Sequence, residues 1–230
     1  MNTILITGSN RGIGLELVKQ YAEDNWNVIA CCRSPEKADE LSALADSHTS
    51  ISIHALDVSH SQDIKALANK LKDINIDILF NNAGIYGPYD ANFGNTNELQ
   101  WLECFQVNTI SPMKVTEAFV NHVANSQLKT IATMSSKMGS MADNGSGGSY
   151  LYRSSKAAVN AVMKSASIDL KPKGIKVGIM HPGWVKTDMG GPNAEISTTE
   201  CVQQLRKTLS TLTLEKSGSF FEIDGSIIPW

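Results

Sequence analysis

The sequence predicts an α/β fold, a doubly wound parallel sheet of about seven strands with helices on both faces. Short apolar runs rich in β-branched residues alternate with helix-period segments along all 230 residues. Several of these runs are apolar at every position, which is typical of strands buried on both faces, and the alternation favours right-handed βαβ units. No repeat, charge run or linker interrupts the series. We therefore expect residues 1–230 to form a single domain.

The predicted elements follow one another in the order that such a sheet requires. The first run, Thr-Ile-Leu-Ile-Thr, is short and β-branched, apolar residues at helical spacing begin at Gly12, and the same pair of patterns recurs along the chain. Strands are predicted at 3–7, 27–32, 50–55, 76–80, 129–134, 176–180 and 219–222. Helices are predicted at 12–23, 35–45, 61–72, 99–125, 151–171 and 198–209, the fourth of them either bent at Pro112 or divided in two. The Gly/Ser-rich stretch 140–149 predicts a loop.

Composition and charge exclude several classes of partner and site. Hydrophobic residues make up 42% and charged residues 19%, and the formal net charge of −3 offers no basic surface for nucleic acid or an anionic membrane. No run approaches the ~20 apolar residues of a membrane span, and the N-terminus does not resemble a signal peptide, so we expect a cytoplasmic protein. The four cysteines, which form no Cys-x-x-Cys pair and have no histidines beside them, predict neither a metal site nor a disulfide framework.

Three glycines indicate a phosphate-binding turn. Gly8, Gly12 and Gly14 fall directly between the first predicted strand and the first predicted helix. Glycines there let the backbone turn tightly and approach a pyrophosphate, whose charge the helix N-terminus stabilises. The spacing is Gly-x-x-x-Gly-x-Gly instead of the commoner Gly-x-Gly-x-x-Gly. With a strand before it and a helix after it, the motif favours a Rossmann-type dinucleotide site.

The end of the second strand favours NADP(H) over NAD(H). A carboxylate at this position would bond the 2′-hydroxyl of NAD, but the sequence has Cys32-Arg33 and no acid. Arg33 offers a planar fork to a 2′-phosphate, and Arg11 in the glycine turn is predicted to reach the same group. Each arginine taken alone is equally compatible with a solvated surface residue.

Tyr152 and Lys156 indicate acid–base chemistry. Four positions apart in the helix predicted at 151–171, they share one helix face. An unperturbed tyrosine has a pKa near ~10, and a neighbouring cation lowers it toward the working range of a catalyst. The spacing alone also fits an ordinary helix with Tyr152 packed inward and Lys156 solvated.

Taken with the glycine turn, this pair makes the chain similar to the short-chain dehydrogenase/reductase family along nearly its whole length. Further motifs occur in the family's order, and the branch that they resemble most is that of the carbonyl reductases grouped with Sniffer and the C-factor-like proteins. These motifs are Asp57-Val58, Asn81-Asn82-Ala83-Gly84, Asn108 in Val-Asn-Thr, Ser135-Ser136 and Pro182-Gly183.

The resemblance implies a role for each matching residue. Tyr152 would donate a proton to the carbonyl oxygen, while Lys156 would bond the nicotinamide ribose and lower the Tyr152 pKa. Ser136 would bond the substrate oxygen, and Asn108 would hold a water linked to Lys156. Ser135 and Ser140 remain alternatives to Ser136, because Ser136 lies 16 positions before Tyr152, a longer interval than in many relatives. The implied cofactor contacts are Gly8, Asn10, Arg11, Gly12, Ile13, Gly14, Arg33, Asp57, Val58, Asn82, Ala83, Gly84, Tyr152, Lys156, Pro182, Gly183, Val185 and Thr187.

The predicted function is NADP(H)-dependent reduction of a ketone or aldehyde to an alcohol by a homodimer or homotetramer. Two alternatives stay open, a 3-oxoacyl-thioester reductase and a C-factor-like, cofactor-binding signalling protein with vestigial catalysis. Several apolar and aromatic residues are candidates for the substrate pocket or for ordinary core, and three others for a subunit interface or core. The pocket candidates are Tyr86, Tyr89, Phe93, Trp184 and Met189, and the interface candidates are Phe220, Phe221 and Trp230.

Overall fold

A computed structural model describes residues 1–230 and shows one seven-stranded sheet in which every strand pair is parallel. The strand order is β3-β2-β1-β4-β5-β6-β7. The doubly wound parallel sheet predicted from the alternating pattern is therefore confirmed. The strands are β1 (Thr3–Thr7), β2 (Asn27–Cys32), β3 (Ile51–Ala55), β4 (Ile78–Asn81), β5 (Thr130–Met134), β6 (Lys176–Met180) and β7 (Ser219–Phe221).

Seven α-helices cover the two faces of the sheet. They are α1 (Gly12–Glu23), α2 (Asp39–Ser47), α3 (Ser61–Lys70), α4 (Glu98–Phe105), α5 (Ser111–Ala124), α6 (Tyr150–Leu170) and α7 (Thr198–Ser210). Helices α1, α2 and α7 contribute to a core cluster of 24 buried residues on one face. Helices α3, α5 and α6 contribute to a cluster of 22 buried residues on the other. No helix is long and apolar enough to cross a membrane.

The strands are apolar throughout because alternate side chains enter these two cores. In β1, Ile4 and Ile6 pack into the first cluster and Leu5 into the second, and all three are fully buried. In β4, Leu79 faces the second cluster and Phe80 the first. Parallel strands covered by helices on both sides require this composition.

Several predicted boundaries differ from the structure by one or two residues, and three further differences have a visible local cause. The segment predicted as a helix at 35–45 is a 3-10 turn (Pro35–Lys37) followed by α2. The segment at 99–125 is interrupted by a π-helical stretch (Gln106–Ile110) and not at Pro112, which instead occupies the first turn of α5, where its missing N–H costs nothing. Lys129 lies outside β5 because its backbone is left-handed, with φ 48°.

The topology brings the predicted site residues to one edge of the sheet. The strand order reverses between β1 and β4, the neighbouring central strands, and in open α/β sheets ligands bind at this switch point, beyond the carboxyl ends of the strands. The glycine turn follows β1, Arg33 follows β2, and Asn82 follows β4. Ser135 and Ser136 follow β5. Residues far apart in sequence are thereby arranged around a single cleft.

Candidate active site

A cleft of about 1270 Å³ runs along the carboxyl edge of the sheet. Sixteen of the residues predicted to bind cofactor or to act in catalysis line it: Gly8, Asn10, Arg11, Gly12, Ile13, Gly14, Arg33, Asp57, Val58, Asn82, Ala83, Gly84, Tyr152, Lys156, Pro182 and Thr187. Four predicted residues are not part of its wall: Asn108, Ser136, Gly183 and Val185. A single cleft thus unites the glycine turn at one end of the chain with Tyr152 and Lys156 near the other.

The glycine turn has no room for side chains. Gly8 has φ +69°, and a Cβ added there would lie 2.9 Å from the Cα of Ala83. A Cβ on Gly14 would lie 2.0 Å from the carbonyl oxygen of Gly8 and 2.6 Å from Nδ2 of Asn82. Glycine is therefore required at both positions, by backbone conformation at the first and by close approach at the second.

Asn82 holds the turn in place from the neighbouring strand. Its side-chain amide donates to the carbonyl oxygens of Thr7 and Gly8, both at 3.0 Å. The Thr7 hydroxyl accepts from the main-chain N–H groups of Asn82 and Ala83, both at 3.1 Å. These four bonds join the ends of β1 and β4, so Asn82 supports the glycine turn as well as lining the cleft.

The N-terminus of α1 suits an anionic group. Arg11 occupies the N-cap position with no side-chain hydrogen bond to the helix, and the first turn contains no acidic residue. The N–H groups of a helix's first turn have no partners within the helix, and its dipole favours negative charge there. Together with the close-packed glycines, this arrangement fits the pyrophosphate of a dinucleotide.

The two arginines predicted to share one phosphate have different surroundings. Arg33 is exposed at the end of β2. The pKa of Asp57 is low because Ser59 donates hydrogen bonds to it, and the charge of Arg33 adds a smaller effect in the same direction. Arg11 instead forms an exposed ion pair at 2.6 Å with Asp188, which lies beyond β6. That Arg11 and Arg33 bind one phosphate stays a prediction, and Asp188 would compete with that phosphate for Arg11.

Tyr152 and Lys156 are both buried, Tyr152 8% and Lys156 4% exposed. The Lys156 ammonium lies 5.7 Å from the centroid of the Tyr152 ring and donates to the carbonyl oxygen of Met134 at 2.9 Å. The alternative of a solvated Lys156 at the surface is therefore excluded. Burial of a cation beside a phenol, at the end of a cleft, is costly and is found mainly at functional sites.

Burial shifts both pKa values toward the neutral forms. It lowers the pKa of Lys156 to about 8 and raises the pKa of Tyr152 to about 12. Hydrogen bonding from Ser136 opposes the increase at Tyr152, whereas the Tyr86 phenol adds to it. The expectation that Lys156 lowers the Tyr152 pKa does not hold in the chain by itself, because desolvation is the larger effect.

Contacts distinguish the three candidate serines. The hydroxyl of Ser135 donates to Oδ1 of Asn160 at 2.5 Å, and that of Ser140 donates to the carbonyl oxygen of Pro229 at 2.6 Å. Ser136 accepts from the N–H of Met138 at 3.2 Å, and of the three serines it alone lowers the pKa of Tyr152. Ser136 is therefore the serine that acts on Tyr152, although Ser135 and not Ser136 lines the cofactor cleft.

Asn108 lies in the π-helical stretch and is 1% exposed. Its amide donates to the carbonyl oxygen of Ile85 at 2.8 Å and to the hydroxyl of Ser155 at 3.0 Å, and its Oδ1 accepts from the N–H of Ile85 at 2.9 Å. Both amide hydrogens are thus taken by protein groups, whereas Oδ1 accepts one hydrogen bond and can accept a second. A water beside Lys156 would therefore have Oδ1 or the main chain of Asn108 as its partner.

The remaining candidates fall into distinct environments. Val185 is 4% exposed, and its carbonyl oxygen accepts from the Thr187 hydroxyl at 3.3 Å. Phe220 and Phe221 are 0% and 3% exposed within one chain and belong to its core instead of a subunit interface, whereas Trp230 stacks on Phe220 and remains 43% exposed. Phe93 is 91% exposed and is not part of the wall of the cofactor cleft.

Arg153 and Asp188 are site residues that the sequence analysis missed. The Arg153 guanidinium donates to the carbonyl oxygens of Gly147 and Met138 and to the hydroxyl of Ser146. These bonds hold the long segment between Ser136 and Tyr152 against α6. The position of Arg153 directly after Tyr152 was the feature of the sequence that pointed to it. No local pattern pointed to Asp188, because it lies 177 positions from Arg11.

Comparisons with known proteins agree with this geometry. The family model for short chain dehydrogenases matches residues 2–197. The C-signal protein of Myxococcus xanthus is 38% identical over 167 residues, which cover 73% of this chain and 100% of that protein. Carbonyl reductase Sniffer of D. melanogaster matches with a TM-score of 0.93 and 37% identity, covering 100% of both chains. The NADPH-bound carbonyl reductase from chicken fatty liver matches with a TM-score of 0.94 and 33% identity, covering 100% of this chain and 99% of that one.

These matches confirm the resemblance predicted from the motifs, including the branch near Sniffer and the C-factor-like proteins. The matched segment spans the glycine turn, Tyr152 and Lys156. The chain therefore belongs to the short-chain dehydrogenase/reductase family and is an oxidoreductase.

Proposed function

We propose that this protein is an NADPH-dependent carbonyl reductase that converts a ketone or aldehyde to an alcohol, with Tyr152 as the proton donor. The observation that carries the proposal is the burial of Tyr152 and Lys156 together in the wall of the cleft, with the Lys156 ammonium 5.7 Å from the centroid of the Tyr152 ring. The NADPH-bound carbonyl reductase from chicken supports the cofactor and the reaction type.

When bound, the nicotinamide supplies the hydride. Tyr152 gives its proton to the carbonyl oxygen, and its raised pKa keeps it protonated for this step at neutral pH. Ser136 donates a hydrogen bond to the same oxygen and stabilises the charge that develops there. Lys156 would bond the ribose and return a proton to Tyr152, and a water held by Asn108 would link Lys156 to bulk solvent, which replaces that proton. The pKa of Lys156 near about 8 suits a group that passes on a proton near neutrality.

The cofactor's adenosine half is proposed to lie between the glycine turn and the end of β2. Asn10, Gly12 and Ile13 would meet the pyrophosphate, with Asp57 and Val58 at the adenine and Arg33 at the 2′-phosphate. The nicotinamide half would lie against Thr187 and the main chain of Pro182, Gly183 and Val185. An Arg33→Gln variant should lose about tenfold in NADPH affinity, ~1.4 kcal/mol, and little in NADH affinity. Equal losses for both cofactors would contradict the proposed role of Arg33.

A Tyr152→Phe variant tests the proposed chemistry. Turnover of benzaldehyde or diacetyl should become undetectable, while the Kd for NADPH stays near the wild-type value, because the ring remains and only the hydroxyl is lost. Tyr150→Phe, two residues earlier on the same helix, is the matched control and should keep its activity. Full activity in Tyr152→Phe would remove Tyr152 from the mechanism.

A signalling role is the second candidate, favoured by the 38% identity to the C-signal protein. In that case a Tyr152→Phe variant would bind NADPH and keep its biological activity without turnover.

The predicted homodimer or homotetramer is likewise a proposal, and Leu99 and Leu102 on α4, 76% and 59% exposed, offer apolar surface for it. Light scattering during size-exclusion chromatography would measure the assembly directly.

A further inference from the structure

Three tyrosine rings stack in a row that begins at Tyr152. The centroids of Tyr152 and Tyr86 lie 4.6 Å apart with 28° between the ring planes. The centroids of Tyr86 and Tyr89 lie 4.9 Å apart at 21°. Tyr152 lines the cofactor cleft, whereas Tyr86 and Tyr89 do not. Tyr86 therefore packs against Tyr152 from outside the part of the cleft assigned to the cofactor.

Tyr86 is held at both its hydroxyl and its main chain. The hydroxyl forms a 2.8 Å hydrogen bond with that of Ser149, the residue just before α6, which has φ 47°. The preceding residue, Ile85, has its N–H and its carbonyl oxygen both bonded to the Asn108 side chain. The Tyr86 ring is thus fixed between the helix that carries Tyr152 and the side chain of Asn108.

The outer ring is held less firmly. Tyr89 is 69% exposed, and its hydroxyl donates to the carbonyl oxygen of Met189 at 3.2 Å. Its ring stacks on that of Tyr86 and not on that of Tyr152. Tyr89 therefore provides a matched control for Tyr86, with the same side chain one ring farther from the reacting group.

We propose that Tyr86 is a positioning residue, whose ring holds the Tyr152 phenol against Ser136 and keeps water away from it. This inference rests on the proposed function, in which Tyr152 is the proton donor. Stacked aromatic pairs are stabilised beyond what their buried area contributes, which favours one orientation of the Tyr152 ring over the others. Proton transfer is sensitive to misplacement of this kind, since donor and acceptor must meet within hydrogen-bond reach.

The electrostatic surroundings of Tyr152 agree with this role. The titratable groups that face it are Tyr86 from the loop after β4, Cys104 from α4 and Lys156 from its own helix. Burial is the largest cause of the raised pKa of Tyr152, and Tyr86 adds to it. Replacing Tyr86 by an aliphatic residue would admit water and remove the neighbouring phenol, and both changes favour the Tyr152 phenolate.

The first experiment compares Tyr86→Leu, Tyr86→Phe and Tyr89→Leu in steady-state reduction of benzaldehyde by NADPH. We expect kcat to fall about tenfold or more in Tyr86→Leu with the Kd for NADPH unchanged, because misplacing a reacting group is costly. Tyr86→Phe keeps the stacked ring and should retain kcat within about threefold, and Tyr89→Leu should do the same. A higher KM for benzaldehyde with wild-type kcat in Tyr86→Leu would make Tyr86 a pocket wall and overturn the proposal.

The second experiment needs no turnover. The alkaline tyrosinate absorbance of each protein is compared with that of its Tyr152→Phe counterpart, and the difference isolates the titration of Tyr152. The midpoint should move to lower pH in Tyr86→Leu and stay in place in Tyr89→Leu, and an unchanged midpoint in Tyr86→Leu would overturn the proposal. If the midpoint moves as expected but the wild type reduces no carbonyl compound, the proposed function fails and the positioning role stands.

A third comparison serves if Tyr86→Leu does not fold. Ser149→Ala and Tyr86→Phe each remove the same 2.8 Å hydrogen bond and leave the ring stack in place. Each should lower kcat by the same small factor, and the double variant should match either single one, since groups acting on one contact are not additive. Fully additive losses would show that the Tyr86 hydroxyl and Ser149 act separately, which overturns the proposed support of the ring.

Discussion

Replacing Gly14 by alanine should separate the glycine turn from α1 and weaken cofactor binding. The new Cβ would lie 2.0 Å from the carbonyl oxygen of Gly8, and contacts below 3.0 Å do not persist, so the two segments must move apart by at least 3.0 − 2.0 = 1.0 Å. That movement stretches the 3.0 Å bond from Asn82 to the Gly8 carbonyl oxygen beyond hydrogen-bond length.

Opposing effects determine the size of the change in stability. Overpacking costs about 1–3 kcal/mol, and a lost hydrogen bond costs about 0.5–1.5 kcal/mol. Alanine in place of a helical glycine raises the free energy of unfolding by about 1 kcal/mol, because alanine has the higher helix propensity. We therefore expect the free energy of unfolding to fall by about 0.5–3.5 kcal/mol, which leaves most domains folded. The Kd for NADPH should rise on the order of 10- to 100-fold, because a binding cradle displaced by ~1 Å no longer fits the pyrophosphate.

Urea unfolding followed by circular dichroism measures the free energy of unfolding, and NADPH fluorescence titration measures the Kd. Gly145→Ala is the matched control, since no atom lies within 4 Å of its added Cβ and its backbone is not left-handed. It should change neither quantity. Wild-type NADPH affinity in a destabilised Gly14→Ala variant would refute the link between this turn and the cofactor.

Three further predictions concern other parts of the chain. Asp188→Asn releases Arg11 from its exposed ion pair, and NADPH affinity measured by fluorescence titration should rise by a few fold (~0.5 kcal/mol) with no change for NADH. Burial holds the pKa of His181 below its usual range, and the Glu222 carboxylate opposes this effect. The neutral ring therefore contributes stability that is complete above pH ~6.5 and is lost as the pH falls toward the folded-state pKa. In urea titrations from pH 7 to pH 5, the free energy of unfolding should fall less steeply in His181→Asn than in the wild type. Phe119→Ala removes a fully buried ring and should cost about 3–5 kcal/mol in the free energy of unfolding, whereas Phe93→Ala at a 91% exposed ring should cost less than about 0.5 kcal/mol.

Local patterns predicted most of the fold. Runs such as Ile4–Ile6 read as buried strands because both faces of this sheet are covered, and that alternation of strands and helices is confirmed by the seven parallel strands. The helix at 99–125 is the main exception. The π-helical stretch at Gln106–Ile110 has no local signal, because Asn108 there bonds the main chain of Ile85, which lies 23 positions earlier.

Short-range spacing also located much of the candidate site. Gly8 and Gly14 follow a strand and precede a helix, and Tyr152 and Lys156 share a helix face because they lie four positions apart. Each of these predictions depends on residues within about two turns of one another. The sequence by itself therefore determined the family, the sheet and the position of the cleft.

Only the tertiary structure decided the partners and the electrostatics. Arg11 pairs with Asp188, 177 positions away, and the Ser135 hydroxyl is bonded to Asn160. The pKa of Tyr152 rises instead of falling because desolvation by burial is the largest influence on it, and the opposing influence of Ser136 is smaller. Ion pairing and desolvation depend on what surrounds a group in three dimensions, and that environment is assembled from segments whose spacing along the chain carries no information about it.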